Sequence, residues 1–179
     1  MEKYITVLSE EEVNILKNLL GKKVIFLRSP SIDIQLGTNR YWFYNPLSIM
    51  IGHAFLVIQN EWFETKKWED YWKITLKVKK EAEGIQYKKE KGIRIPAQPF
   101  ADIQIINSPR ITRISVYHRK KEDNDEYVAF DKAIVIGTED NRTFCISAMQ
   151  SIADALELTW EEDDINQVIN HCIERYRFE

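Results

Sequence analysis

Trp72-Lys73-Ile74-Thr75-Leu76-Lys77-Val78-Lys79 alternates strictly, with apolar residues pointing one way and Thr75 and three lysines the other. A period of two is the signature of a strand with one packed face and one wet face, as in an antiparallel sheet. The lysines also discourage pairing with the edge of another sheet. Working outward, Lys23 to Arg28, Ile32 to Leu36, Arg40 to Asn45 and Ile49 to Gln59 read as strands before this stretch. Gly52-His53 suggests a bulge in the last of them. After it, the charged run 80–92 suggests an exposed hairpin. Ile111 to Arg119, Tyr127 to Gly137 and Thr143 to Ala148 read as a meander, with Ala155 to Leu158 as a last short strand.

Two stretches carry a helical period instead. Ser9-Glu10-Glu11-Glu12 is a capping box, and Val13, Leu16, Leu19 and Leu20 follow at helical spacing before Gly21. This predicts a short helix from about Glu10 to Leu20. Near the other end, Thr159-Trp160-Glu161-Glu162 has the form of a second capping box. Ile165, Val168, Ile169, Cys172, Ile173 and Tyr176 then recur at i, i+3, i+4, i+7, i+8 and i+11. Acids fill the first turn, and Arg175 and Arg177 stand in the last, matching the helix dipole. The pattern predicts a longer amphipathic helix from Trp160 to about Arg175. The expected fold is therefore α+β. It combines a mainly antiparallel, twisted sheet or half-barrel with a short N-terminal helix and a longer amphipathic C-terminal helix.

The 179 residues are 44% apolar and 12% aromatic, enough for one well-packed core. A single domain is expected, and any division into two lobes would fall near 81–99, between the charged run and Pro96 and Pro99. The net charge of −3 gives no general attraction for nucleic acid. The N-terminus lacks the basic and apolar regions of a secretory signal, and the most apolar stretch, Ile49 to Ile58, is half the length of a membrane span. Cys145 and Cys172 belong to no CxxC pair and read as reduced thiols. A cytoplasmic protein is expected, with no membrane partner and no nucleic-acid partner.

Signatures of nucleotide binding, zinc proteolysis, serine hydrolysis and calcium binding are absent from the sequence. His53, His118 and His171 fall on separate elements, so neither a metal nor a cofactor is expected. Glu64-Thr65-Lys66 has the E-x-K ending of a metal-dependent nuclease core; Asp33 could supply its preceding acid, but about thirty residues intervene, and E-x-K is common by chance in a chain this rich in Glu and Lys. His118 and Asp131 would meet if their strands pair, giving a base with an orienting carboxylate but no evident nucleophile.

The aromatic residues are more distinctive. Four of the five tryptophans lie between residues 42 and 72. On strands, such residues occupy both faces, and a one-sided core takes only one of them. Tyr41, Trp42, Trp62, Trp68 and Tyr71 are therefore the candidate partner-binding residues, the alternative being that these rings serve core and cross-strand packing. Acid-rich 143–174, with no lysine or arginine, would meet a basic partner. The expectation is a non-enzymatic protein-interaction module of unassigned oligomeric state, of the kind represented by inhibitors and by immunity proteins that neutralise a basic toxin. The alternative is a small enzyme or ligand-binding protein. Its site would lie between the sheet and the C-terminal helix, drawing on Tyr117, His118 and Asp131.

Overall fold

A computed structural model describes residues 1–35, 38–44, 46–149 and 154–179. After β1 (Glu2–Thr6), helix α1 spans Glu10–Lys17. Its capping box forms as expected: the Ser9 hydroxyl accepts from the Glu12 N–H at 3.3 Å, and the Glu12 carboxylate accepts from the Ser9 N–H at 2.9 Å. Glu12 also accepts the Leu76 N–H at 2.8 Å, so the cap ties the helix to the sheet.

Strands β2 (Val24–Ser29), β5 (Leu47–Ile51), β6 (Ala54–Glu64) and β7 (Asp70–Lys79) join β10 (Ala101–Gln104) in a five-stranded sheet ordered β10-β2-β5-β6-β7. The stretch 49–59 is not one bulged strand. Gly52, at φ 61°, and His53 make a two-residue hairpin turn, with Ile51 opposite Ala54. In β7, Trp72, Ile74 and Leu76 are buried and the lysines are exposed.

A second sheet uses β3 (Asp33–Ile34), β4 (Arg40–Phe43), β11 (Ile111–Glu122), β12 (Glu126–Thr138), β13 (Thr143–Ala148), β14 (Leu156–Thr159) and β15 (Ile173–Phe178). Their order is β15-β11-β12-β13-β14-β4-β3. Strand β12 is long enough to take two partners along one edge. β1 lies parallel to residues 126–130, and β13 lies antiparallel to 133–137. Every other ladder among the described residues is antiparallel. A separate hairpin pairs β8 (Tyr87–Glu90) with β9 (Ile93–Pro96).

The two large sheets pack face to face. Leu27, Ile49, Leu56, Ile58 and Ile74 from one meet Ile114, Phe130, Ile134, Ile146 and Leu158 from the other. The segment 81–99 lies against the outer face of the five-stranded sheet, where Ala82 and Ile85 are buried on Phe55 and Val57. Helix α2 (Glu162–Ile169) covers the outer face of the larger sheet through Ile165, Val168 and Ile169.

This corrects the expected α+β class. The fold is mostly β, with 57% strand, 9% helix and three sheets among the described residues, in place of one sheet or half-barrel. The longer C-terminal helix does not form. α2 has eight residues and stops before Asn170, whose ψ is 135°, and His171 follows in the left-handed region at φ 61°. The proposed capping box fails because Thr159 is a strand residue, paired with Cys145 and Arg40. Residues 173–178 pair instead with β11, placing Tyr176 and Phe178 against the core. Ile173 and Tyr176 fit a helical period by coincidence. The unpaired N–H and C=O groups along the β11 edge decide their conformation.

Candidate interaction surface at the 65–69 turn

The five candidate aromatic residues divide between the sheets. Tyr41 and Trp42 lie side by side on β4, half-buried. Tyr41 packs on Trp160 with ring centroids 4.8 Å apart, and Trp42 Nε1 donates to Glu157 at 3.1 Å. Trp62 and Tyr71 lie on the β6–β7 hairpin. Trp62 Nε1 donates to Asp70 at 2.9 Å. Tyr71 sits between Tyr4 at 5.5 Å and Phe63 at 5.4 Å, and burial raises its hydroxyl pKa. These four rings are partly enclosed by their own sheets.

Trp68 differs. It is 79% exposed, at the tip of the β6–β7 hairpin, with φ 66°. A bulky side chain in the left-handed region is uncommon and carries a cost of order 1–3 kcal/mol, so the surroundings must hold it there. Thr65 is the main restraint. Its N–H donates to the Glu69 carbonyl at 2.9 Å, and its carbonyl accepts the Trp68 N–H at 3.1 Å. Its hydroxyl accepts the Lys67 and Glu69 N–H groups, each at 3.2 Å, and donates to the buried Glu126 carboxylate at 2.8 Å. The turn is thereby fixed to the first residue of β12.

Ion pairs surround this arrangement. Lys66 bonds Glu2, Lys121 bonds Glu69, and Lys67 bonds Asp125 at 2.7 Å. The Lys66 hydrogen bond, followed by that of Tyr4, lowers the Glu2 pKa, and Asp125 raises that of Lys67. Asp123 is lowered first by the backbone N–H groups of Glu126 and Asp125. Glu64 and Asp70 flank the turn, so acids outnumber bases around Trp68. Exposed pairs of this kind add little stability but restrict the turn's geometry. Sequence reading includes Trp68 among five aromatic candidates but misses Thr65 and Glu126. The available signal is a lone tryptophan among charged residues, just after a threonine able to accept turn N–H groups.

The other candidates are only partly assembled. His118 and Asp131 meet, with Nδ1 3.3 Å from Oδ1. Asp131 also accepts the Leu8 N–H and the Arg175 guanidinium, each at 2.7 Å. Burial, more than any neighbouring charge, holds the His118 pKa below the ordinary imidazole value. Tyr117 does not join them; it packs with Ala133, Val135 and Ile165 under α2. In the E-x-K stretch, Lys66 pairs with Glu2, and Asp33 stands on β3 of the other sheet. Cys145 is buried and Cys172 half-buried, both as free thiols. Among the described residues, no group of three or more His, Cys, Asp or Glu side chains could hold a metal ion. No helix there is long and apolar enough to cross a membrane. No protein-family model matches the chain, and neither a curated protein nor a solved structure is significantly similar to it.

Proposed function

We propose that this protein is a non-enzymatic cytoplasmic interaction module that docks a protein partner through Trp68. The observation behind this reading is a tryptophan held 79% exposed in an unfavourable backbone conformation by a buried Thr65–Glu126 bond. Hydrophobic burial opposes such an arrangement, and aromatic anchors of this kind are the usual hot spots of interfaces. The acidic surround fits a partner whose receiving pocket has a basic rim. An inhibitor of a basic protein is the form of this function that the charge pattern suits best.

Affinity capture from cells of origin, using the wild type beside Trp68→Ala, tests the proposal. A specific partner should be retained by the wild type and lost with the variant. Trp68→Phe should retain most of it and should remove the component of tryptophan fluorescence most readily quenched by acrylamide. An identical set of captured proteins with and without the Trp68 ring would reject the reading.

A further inference from the structure

A groove of about 710 Å³ opens at the far end of β12 from Trp68. The Trp68 turn is fixed at Glu126 and the groove lies at the Thr138 end, and the thirteen-residue strand between them extends about 40 Å at a rise of roughly 3.3 Å per residue. The volume falls in the range of roughly 300–1,000 Å³ typical of small-molecule sites. Ile103, Ile105, Leu158, Trp160, Ile165 and Ile169 supply apolar walls. Arg142 closes one end by bonding its own neighbour Asp140 and the Ile106 carbonyl.

A smaller hollow of about 390 Å³ adjoins the groove and shares Arg113, Thr138, Asn141, Arg142 and Thr143 with it. Arg113 stands where the two meet. It is half-buried, and no carboxylate among the described residues lies within ion-pair distance of it. Its field reaches Glu174, but that carboxylate bonds Arg177 at 2.8 Å. Glu179, the acid in the smaller hollow, also faces Arg177, at 3.7 Å. Across the ladder Gly137 presents no side chain, and Arg113 lies over it: a Cβ there would stand 3.4 Å from Arg113 Cβ and 3.5 Å from Nε.

We infer that this groove binds a single-chain amphiphile with a carboxylate head, the head at Arg113 and the chain between α2 and the 103–109 segment. The head's charge follows from the count of free cations. Arg142 is already committed to Asp140, which its hydrogen bonds hold at a pKa of about 2. One unpaired guanidinium therefore remains, and its planar fork matches one carboxylate. The chain's character follows from the apolar side walls, which offer hydrocarbon contact, while Arg113, Thr138, Asn141, Arg142 and Thr143 gather polar groups where the two hollows meet. Glu162, at the helix end of the groove, disfavours a second anionic group there.

Dodecanoate below its micellar concentration and dodecanol below its solubility limit, each followed by calorimetry, test this inference. Dodecanoate should bind one to one and more tightly than dodecanol. Arg113→Gln should weaken dodecanoate about tenfold and leave dodecanol unchanged, while Arg113→Lys recovers part of the loss. Asn166→Trp, at an exposed lining position on α2, should weaken both. Trp68→Ala should bind dodecanoate as the wild type does, which separates this site from the partner surface. Circular dichroism of each variant checks that it is folded. The inference is overturned if dodecanoate shows no saturable binding, or if folded Arg113→Gln binds it as tightly as the wild type.

Discussion

Asp131 shows how much a single buried charge can organise. It is 1% exposed and joins three elements: the Leu8 N–H between β1 and α1, His118 on β11 and Arg175 on β15. Asp131→Ala would leave a buried N–H and a partly buried guanidinium without their acceptor. It should cost roughly 3–5 kcal/mol, measured as a lowered denaturant midpoint. Lys132, the next residue, is an opposite case. Its ammonium donates to the Ala148 carbonyl and lies 5.5 Å from the centre of the Trp72 ring, and burial lowers its pKa to about 8. Between pH 8 and the ordinary lysine value of 10.5, the unfolded chain binds more protons at this site than the folded one. Lys132 therefore makes stability rise with pH across that window. Cys145, pushed up to about 12, acts in the opposite sense above pH 9 but is present in both proteins when wild type is compared with Lys132→Met. The stability of the wild type relative to that variant should climb from pH 8 to 10.5 in urea titrations. A pH-independent difference would mean that burial does not lower the Lys132 pKa. At Trp68 the backbone is the issue. Trp68→Gly should raise stability by about 1 kcal/mol while abolishing capture of the partner, because glycine adopts positive φ without strain.

At the scale of elements, α2 is a short lid rather than a long structural helix. Its contact with the sheet is concentrated at Ile165, which is 6% exposed, whereas Val168 and Ile169 are half-buried. Ile165→Ala should cost roughly 2–4 kcal/mol and Ile169→Ala clearly less, as read from chemical denaturation. Equal costs would mean that the helix extends and buries its stripe evenly. The first helix was legible because its cap is local: Ser9 and Glu12 satisfy each other's backbone over three residues. The second was misread because its helical spacing continued into a strand. Tyr176 and Phe178 reach the core from β15 as well as they would from a helix, and the open edge of β11 favours the strand.

Across the whole molecule, pairing is dominated by residues distant in sequence. β1 meets β12 at Glu2 and Glu126, and β4 meets β14 at Arg40 and Thr159. Closing such loops before their contacts form makes folding slow. Refolding followed by stopped-flow tryptophan fluorescence should fall in the range of roughly milliseconds to seconds. A microsecond phase carrying most of the amplitude would indicate a core assembled from local contacts. The same long-range pairing places the two candidate surfaces at opposite ends of β12, so changes at Trp68 and at Arg113 should add independently.

The sequence by itself determined the local alternation of β7, the capped start of α1 and the position of most strands, because these depend on side-chain period and on hydrogen bonds between near neighbours. It also placed Trp68 among five candidate aromatic residues and brought His118 opposite Asp131, a consequence of one hairpin. Only the tertiary structure decided that residues 173–178 are strand, that Thr65 is fixed by Glu126 and that Arg113 stands unpaired beside a groove. Each of these depends on a partner tens of residues away. Open strand edges and uncompensated buried charges become visible only when the sheets are assembled.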